Sequence, residues 1–411
     1  MQGHLKKRAT WEYVAELGPQ PLQRCPACHK RFWIKREHLG HCPLCHGHLE
    51  ETVKRRQEMK AGFATKREAQ EALTKVLASI STGTYIEPSK VLVSEFLTGE
   101  WLPAIRATIR PTTYLSYQGH VQCHVIPALG TLPLQQLSAS HLNAFYSLLL
   151  TQGRGEGKGG VSAATVRRVH ATLHRALRDA VRWNKITRSP ADAADPPRAE
   201  RGAEHEMKVW SLKELRTFLA SERESRLYPL WLTLATTGMR RGEVLGLRWE
   251  DVDLEAQSLS IRQTRVMTGY EPLLSTPKTR RGKRLVALDP ATTVALKENR
   301  RRQRLERLAA GCPWLKTGYV FTREDGEPYH PERVSKLFLQ GAKKVGLPRI
   351  RLHDLRHTYA TLALGAGVHP KIVSERLGHA NIGITLDCYS HCLPALSEEA
   401  ACRVAALVVP D

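Results

Sequence analysis

Apolar residues recur at helical spacing near the C-terminal end of the chain, within the stretch 351–391. Four positions follow the period of an α-helix and predict a buried stripe: Leu352, Leu355, Tyr359 and Leu362. His353 and Arg356 are three residues apart, so they project from the same side of this predicted helix. Taken alone, such a pair indicates no more than a solvated helix face.

The N-terminal part alternates between strand-like and helix-like segments. Thr10–Leu17 is rich in residues that favour β-strands. Thr65 and Glu68 form a capping-box pattern, which predicts a helix that continues to about Ala78. The turn-rich segment 82–90 then predicts a linker.

The middle of the chain, from Val91 to Asn184, reads as helical throughout. The predicted helices lie around Val91–Ile105, from Pro111, at about Ser140–Leu150 and at Ser162–Trp183. The glycine-rich stretch Gly153–Gly160 predicts a flexible connector between the last two. The Pro/Ala-rich segment 188–207 predicts an interdomain linker.

The last part mixes helices with short strands. Ser211 and Glu214 form a second capping box, which opens a C-terminal domain. Strand signals occur at Leu259–Val266 and around Lys278, and Asp289 with Pro290 starts another helix. An amphipathic helix at 395–409 ends the chain. The predicted fold class is therefore multidomain and mainly α, with small β elements.

The charge of the chain narrows the class of partner. The 411 residues carry a formal net charge of +22, which indicates a polyanionic partner, and DNA or RNA fits best. No window approaches 18 uncharged apolar residues, so no membrane span is predicted. The N-terminus lacks a signal-peptide core, so we expect a cytoplasmic, DNA-associated protein.

Two Cys-x-x-Cys pairs lie in the N-terminal part: Cys25, Cys28, Cys42 and Cys45. This spacing suits a tetrahedral Zn²⁺ with four thiolates, as in a zinc ribbon over about residues 22–50. The metal would be structural, because four protein ligands leave no position for water. Free thiols or a redox pair are the alternatives, and a nearby histidine could replace one cysteine. The basic and aromatic residues of this segment suit contact with either DNA or a protein partner.

Basic motifs recur through the second half of the chain in a fixed order. They are TGMR around Arg240, PKTRRGKR around Lys278, HDLRH from His353, LGH ending at His379, and then Tyr389. In this order the sequence resembles the tyrosine recombinases, the family that includes the phage integrases. The resemblance covers the whole second half of the chain.

The residue types agree with phosphoryl-transfer chemistry. Two arginines can hold the non-bridging oxygens of one phosphodiester through paired N–H donors. A tyrosine hydroxyl, with an ordinary pKa of about 10, needs nearby cations or a base to become a nucleophile. Attack would leave the phosphate esterified to the enzyme, so the bond energy is kept for ligation and no nucleotide triphosphate is required. The sequence accordingly has no phosphate-binding G-x-x-x-x-G-K-[ST] loop.

The resemblance implies a role for each matching residue. Arg240 and Arg356 would clamp the phosphate, Lys278 would protonate the leaving oxygen, His353 would be the acid/base group, His379 would hydrogen-bond the phosphate and Tyr389 would attack it. Glu243 matches the acidic residue that braces the site. Lys283 is a rival for Lys278 in the same turn, and Arg241 is a rival for Arg240.

The resemblance also implies a domain plan. Residues 1–81 would form an arm-type DNA-binding domain with the zinc ribbon inserted, 90–187 a helical core-binding (SAM-like) domain, 188–207 a linker, and 208–411 a catalytic domain with a tail helix. Six basic residues of the core-binding region are candidate phosphate contacts: Arg106, Arg110, Lys158, Arg167, Arg168 and Arg175. The tail helix could pack on its own subunit or on a neighbour.

The expected function is that of a site-specific recombinase, an integrase of a mobile element. It would form a 3′-phosphotyrosine, exchange strands through a Holliday junction, and work as a homotetramer on two double-stranded attachment sites. Accessory directionality and DNA-bending proteins are possible partners. Catalysis needs no cofactor. The alternatives are a type IB topoisomerase and a DNA-binding architectural or regulatory protein without catalysis.

Overall fold

The computed structural model of this protein describes residues 3–33, 39–153, 159–198, 208–276, 282–310 and 314–389, together with residues 405 and 408. By its contacts the chain divides into two compact units, one of residues 1–108 and 117–199 and one of residues 109–116 and 200–411. The described elements are mainly helices with small antiparallel sheets, which confirms the predicted fold class. In the described part, no helix is long and apolar enough to cross a membrane.

The first unit begins with a four-stranded sheet in which the second strand is central. Its strands are β1 (Gly3–Lys7), β2 (Trp11–Arg24), β3 (Arg31–Trp33) and β4 (Glu50–Phe63). β4 pairs with β2 from end to end, while β1 and β3 pair with opposite ends of β2. Helix α1 (Lys66–Ser81) packs against this sheet, with Leu73 buried against Tyr13 and Ala15. Burial of an aliphatic side chain such as Leu73 stabilises the fold by about 1.5–3 kcal/mol.

The strands of this sheet differ from the sequence expectation. β2 runs past the predicted end at Leu17 to Arg24, and β1, β3 and β4 were not predicted as strands. The second half of β2 was not predicted because it contains Pro19 and Pro21, and proline lacks the N–H that the hydrogen-bond ladder of a sheet needs. They are tolerated because β1 and β3 leave the edge of β2 open between their two pairings. β4 was not predicted because its sequence is polar, in agreement with the solvent contact that its residues keep.

The region 93–182 contains the four predicted helices, and residues 111–116 of the second of them belong to the second unit. A continuous helix is built from α2 (Val93–Glu95), a π-helical segment (Phe96–Trp101) and α3 (Leu102–Ile105). The others are α4 (Pro111–His120), which continues through the π-helical segment Val121–Val125 into α5 (Ile126–Leu129), then α6 (Ala139–Gln152) and α7 (Ala163–Arg182). The buried Trp101 donates from Nε1 to Oδ2 of Asp179 on α7 at 2.9 Å, so the first and last helices are tied together.

The part of the second unit from residue 208 to 389 contains eight α-helices and five strands in its described residues. Its helices are α8 (Leu212–Ser221), α9 (Tyr228–Thr237), α10 (Arg241–Leu245), α11 (Pro290–Ala310), α12 (Pro331–Lys344), α13 (Asp354–Gly365), α14 (Pro370–Leu377) and α15 (Ile382–Tyr389). Its strands are β5 (Val252–Asp253), β6 (Ser258–Ile261), β7 (Thr264–Thr268), β8 (Glu271–Ser275) and β9 (Arg284–Ala287). Three strands form the sheet β5-β6-β9, and β7 and β8 form a hairpin. Buried aromatic rings, including Phe218 and Phe338 with centroids 5.2 Å apart, form the centre of the core.

The predicted helix starts are confirmed at the level of hydrogen bonds. The Thr65 and Ser211 side chains accept from the backbone N–H three residues later and complete capping boxes. Asp289 Oδ1 accepts from the backbone N–H of Thr292 at 2.9 Å at the start of α11. Such a cap stabilises a helix by about 1 kcal/mol. The predicted tail helix at 395–409 lies outside the described residues, apart from residues 405 and 408.

Candidate active site

A glycine in the left-handed backbone conformation positions Arg240 of the TGMR motif. Helix α9 ends at Gly238, whose φ of 63° places it in the region that favours glycine. A Cβ atom at this position would lie 2.5 Å from Cδ1 of Tyr359 and 2.7 Å from Cδ2 of Leu377. Both the backbone conformation and the close packing therefore require glycine. The chain then reverses, and Arg240 becomes the residue that precedes α10.

The carboxylate of Glu243 is buried between two guanidinium groups. Its Oε1 accepts from Nη1 of Arg240 at 2.7 Å, and its Oε2 accepts from the Arg240 backbone N–H at 3.0 Å. Nη1 and Nη2 of Arg284 donate to the same two oxygens at 3.2 and 3.0 Å. Burial on its own would raise the pKa of Glu243, but Arg284 and Arg240 outweigh burial and lower it. Glu243 is therefore a carboxylate anion held in place.

Arg356 is almost fully buried on the first turns of α13, with 3% of its surface exposed. Its Nη1 donates to the carbonyl of Gly238 at 2.9 Å, and its Nη2 donates to the carbonyl of Leu377 at 2.7 Å. The guanidinium plane is thus fixed by the ends of two helices that are far apart in sequence. A fixed guanidinium loses little entropy when it binds an anion.

Two histidines complete the group. His353 precedes α13, and its ring meets that of His357 edge-on with centroids 5.4 Å apart. His379 follows the left-handed C-cap Gly378 of α14, and its Nδ1 lies 2.8 Å from Oγ1 of Thr385. The pKa of His379 is lowered to about 4, first by burial and then by Arg356 and Arg240. Burial and neighbouring positive charges also lower the pKa of His353, but this residue keeps more solvent contact, which should reduce its shift.

We expect His379 to remain neutral in the DNA-free protein until the pH approaches about 4. The folded-state pKa lies below the unfolded value of about 6.5, so the unfolded chain binds more protons in the interval and stability falls as the pH drops from about 6.5 to 4. NMR titration of the imidazole signals, with His379→Gln for assignment, measures the pKa. The variant should lose less stability than the wild type on acidification. A His379 signal that titrates above pH 6.5 would contradict this result.

One pocket of about 960 Å³ brings most of the predicted site residues together. Arg240, Glu243, His353, Arg356 and His379 all line it. The structure describes only the backbone of Tyr389, at the end of α15, and Lys278 lies outside the described residues. The rival residue Arg241 also lines the pocket, but its Nη1 donates to Oγ of Ser335 at 2.8 Å and to the Pro331 carbonyl at 3.4 Å, so it is tied to α12.

Sequence reasoning missed several residues at this pocket. Arg284 is the last residue of the PKTRRGKR motif and the first residue of β9, and it supports the site through its bonds to Glu243, a pocket residue. His357, four residues after His353, lines the pocket, and no role was predicted for it. Arg265 and Arg351 also line the pocket, and no sequence motif marked them. Arg265 and Arg351 add positive charge to the pocket, while burial lowers the pKa of His357 and favours its neutral form.

The candidate DNA-contact residues of the helical region differ in how exposed their side chains are. Arg106, Arg167 and Arg168 are exposed. Arg175 is half-buried, with its guanidinium carbon 5.6 Å from the ring centroid of Tyr117. Arg110 belongs to the second unit by its contacts, lines the pocket, and places Nη1 3.5 Å from the carbonyl of Thr276. Lys158 lies outside the described residues.

The four cysteines of the N-terminal part lie together at the end of the β2–β4 hairpin. Their sulfur atoms are all within 4.8 Å of one another. Sγ of Cys25 is 3.3 Å from that of Cys45, and Sγ of Cys28 is 3.6 Å from that of Cys42. The two Cys-x-x-Cys turns share one backbone hydrogen bond. The N–H of Cys25 donates to the carbonyl of Lys30, and the N–H of Cys42 donates to the carbonyl of Gly47, both at 2.9 Å.

Known proteins share both sequence and fold with this chain. The Phage integrase family model matches residues 210–395, and the model of the phage integrase N-terminal SAM-like domain matches residues 93–150. The chain is 29% identical to a "Tyrosine recombinase XerC-like" protein of Caldanaerobacter subterraneus subsp. tengcongensis, over 80% of this chain and 87% of that protein. It is 24% identical to the ICEBs1 integrase of Bacillus subtilis, over 73% and 79% of the two chains.

Solved structures confirm the fold. The Tn1549 transposon integrase in complex with a circular intermediate DNA aligns with a TM-score of 0.62 at 20% identity, over 77% of this chain and all of that chain. A lambda integrase tetramer bound to a Holliday junction aligns with a TM-score of 0.54 at 16% identity, over 94% of each chain. With the family matches and the ordered motifs, these findings confirm the resemblance inferred from sequence. The chain belongs to the phage integrase family and is a site-specific tyrosine recombinase.

Proposed function

We propose that this pocket cuts and rejoins DNA through a covalent 3′-phosphotyrosyl bond. The observation that carries the proposal is the charge balance of the pocket. Arg240 and Arg356 line it together, and the lining carboxylate, Glu243, is already bound by two guanidinium groups. A phosphodiester supplies the negative charge that this arrangement favours, and its charge grows in the transition state.

Each proposed step assigns one bond and one proton. The Tyr389 oxygen forms a bond to phosphorus, and the bond from phosphorus to the 5′ oxygen of the next nucleotide breaks. Neutral His353 accepts the phenol proton, because its lowered pKa keeps it unprotonated at neutral pH. Lys278 gives a proton to the departing 5′ oxygen. His379 and the two arginines hold the phosphate oxygens, and the reverse reaction with a new 5′ hydroxyl religates the strand.

The proposed assembly is a homotetramer on two DNA attachment sites, with strand exchange through a Holliday junction. It is supported by the similarity of fold to the lambda integrase tetramer on such a junction. Arg167 and Arg168, exposed on α7, would contribute phosphate contacts that set affinity and its salt dependence. The tail helix and accessory DNA-bending or directionality proteins would complete the assembly.

The test uses a nicked duplex copied from the short DNA repeat that flanks the gene. The nick lets the cut strand diffuse away and traps the covalent intermediate. The wild-type chain should form a DNA adduct that survives denaturing electrophoresis, in the presence of a chelator and without ATP. If the protein binds this duplex and no adduct forms, the chain is a DNA-binding protein without catalysis.

We also propose that the cysteine cluster holds one structural Zn²⁺. In tetrahedral coordination with Zn–S distances of about 2.3 Å, the sulfur atoms lie about 3.8 Å apart. The observed separations of 3.3 and 3.6 Å, and the 4.8 Å limit for all four atoms, fit that geometry. Thiolate ligands suit zinc, and no water position remains for catalysis.

Replacing Cys42 with serine should release the metal and destabilise the hairpin end. Cys42 is fully buried beside Cys25 and Leu49, so its loss removes both a ligand and a packing contact. Metal analysis of the purified protein should give about one zinc per wild-type chain and almost none for Cys42→Ser. Limited proteolysis should then cut the variant between β2 and β4. Cys123→Ser, at an exposed cysteine, is the control and should keep its zinc. A zinc-free wild type with an intact hairpin would contradict the site.

A further inference from the structure

A third arginine connects the carboxylate of the site to a neighbouring helix. Arg284 lies on β9 with 8% of its side chain exposed. Its two terminal nitrogens donate to both oxygens of Glu243, and its Nε donates to the carbonyl of Arg376 at 2.6 Å. A buried guanidinium with this many acceptors has one fixed orientation.

Three consecutive carbonyls at the end of α14 each accept from a different arginine. Nε of Arg284 donates to the carbonyl of Arg376 at 2.6 Å. Nη2 of Arg356 donates to the carbonyl of Leu377 at 2.7 Å, and Nη2 of Arg240 lies 3.4 Å from the carbonyl of Gly378. The C-terminal end of a helix carries partial negative charge, which favours the approach of cations. The two proposed clamp arginines and Arg284 therefore share one anchor, directly before His379.

The charges around Glu243 show what Arg284 contributes. Arg240, Glu243 and Arg284 together carry one net positive charge. Without Arg284, Glu243 would neutralise Arg240, and the pair would carry no net charge toward a phosphate. The two guanidinium groups share Oε1 of Glu243, while Oε2 accepts from Arg284 and from the backbone N–H of Arg240.

We propose that Arg284 is a positioning residue: it shares the charge of Glu243, so that Arg240 keeps its positive charge for the scissile phosphate, and it holds the end of α14 in place. The inference rests on the proposed cleavage reaction. It differs from a purely structural role, in which Arg284 would only stabilise the fold. The two roles differ in one respect. If Arg284 shares the charge of Glu243, the rate loss caused by replacing Arg284 depends on whether Glu243 is charged.

The test compares three variants in the adduct assay at saturating DNA. Arg284→Met should slow adduct formation about 100-fold, comparable to the loss of one transition-state donor. Arg284→Lys keeps the charge but loses the paired geometry, so its rate should lie between those of the wild type and Arg284→Met. The double variant Glu243→Gln with Arg284→Met restores one net positive charge, and should recover to within about tenfold of the wild-type rate.

The double variant separates the two roles. If Arg284 has only a structural role, the double variant should form adducts no faster than Arg284→Met, because both proteins lack the buried Arg284 side chain. Rescue of the rate, with thermal stability still below that of the wild type, supports charge sharing. Absence of rescue, or an Arg284→Met rate within twofold of the wild type, overturns it.

Arg226 offers a matched control in the same unit. It is also partly buried, pairs with both oxygens of Glu306, and donates to the carbonyl of Thr322, away from the pocket. Arg226→Met should lower thermal stability and leave the adduct rate of the folded protein within twofold of the wild type. An equal rate loss in this control would show a general effect of a lost ion pair and overturn the proposal. If the wild type itself forms no adduct, the proposed function fails first and the inference with it.

Discussion

Replacing Tyr389 with phenylalanine should abolish covalent attachment to DNA. The change removes one oxygen and keeps the ring, so packing and DNA binding should change little. Without the phenol oxygen no phosphotyrosyl bond can form, and we expect a rate loss of at least about 10⁴-fold. The measurement is the yield of protein–DNA adduct on a denaturing gel, together with the dissociation constant for the same duplex.

The control for this variant is Tyr228→Phe. Tyr228 begins α9, and its ring faces the guanidinium of Arg223 at 5.8 Å, a contact that phenylalanine keeps. This control should form adducts at the wild-type rate. An adduct formed by Tyr389→Phe would show that another residue is the nucleophile.

Replacing Arg356 with lysine should be the second most damaging change. Lysine keeps the positive charge, but it cannot donate to the carbonyls of Gly238 and Leu377 while it also holds a phosphate with paired donors. We expect adduct formation to fall about 10³-fold, or about 4 kcal/mol of transition-state stabilisation. Single-turnover rates at saturating DNA measure this loss directly.

Arg323→Lys provides the comparison, because Arg323 is an exposed arginine that pairs with Asp325 and Glu327 away from the pocket. Its adduct rate and its stability should both remain close to wild type. An Arg356→Lys rate within tenfold of the wild type would mean that a positive charge is sufficient and that the fixed guanidinium is not needed. Thermal unfolding measures the fraction of each variant that is folded, and the adduct rate is expressed per folded protein.

Sequence motifs identified the proposed catalytic residues better than the residues that support them. Motif spacing identified Arg240, His353, Arg356 and His379, and the structure places all four at one pocket. Motifs report residues whose chemistry is specific. They do not report an arginine such as Arg284, whose importance comes only from where β9 lies in the folded unit.

Helices were predicted more accurately than strands for a related reason. Helix starts depend on local side chains, as at Thr65 and Ser211, so a few residues of sequence suffice. Strand β4 depends instead on pairing with β2, in a register that pairs Trp11 with Phe63 and Arg24 with Glu50. Its polar composition carries no signal of that partner, because register is decided by the pairing itself.

The anchoring of both proposed clamp arginines on the end of α14 has a consequence during protein synthesis. Arg240 and Arg356 reach their carbonyl acceptors only after residues 377 and 378 have left the ribosome and α14 has docked. Contacts between distant parts of a chain slow folding, because the loop between them must be closed first. A prematurely terminated polypeptide that ends before α14 would carry both arginine motifs without the carbonyls of residues 377 and 378 that align them.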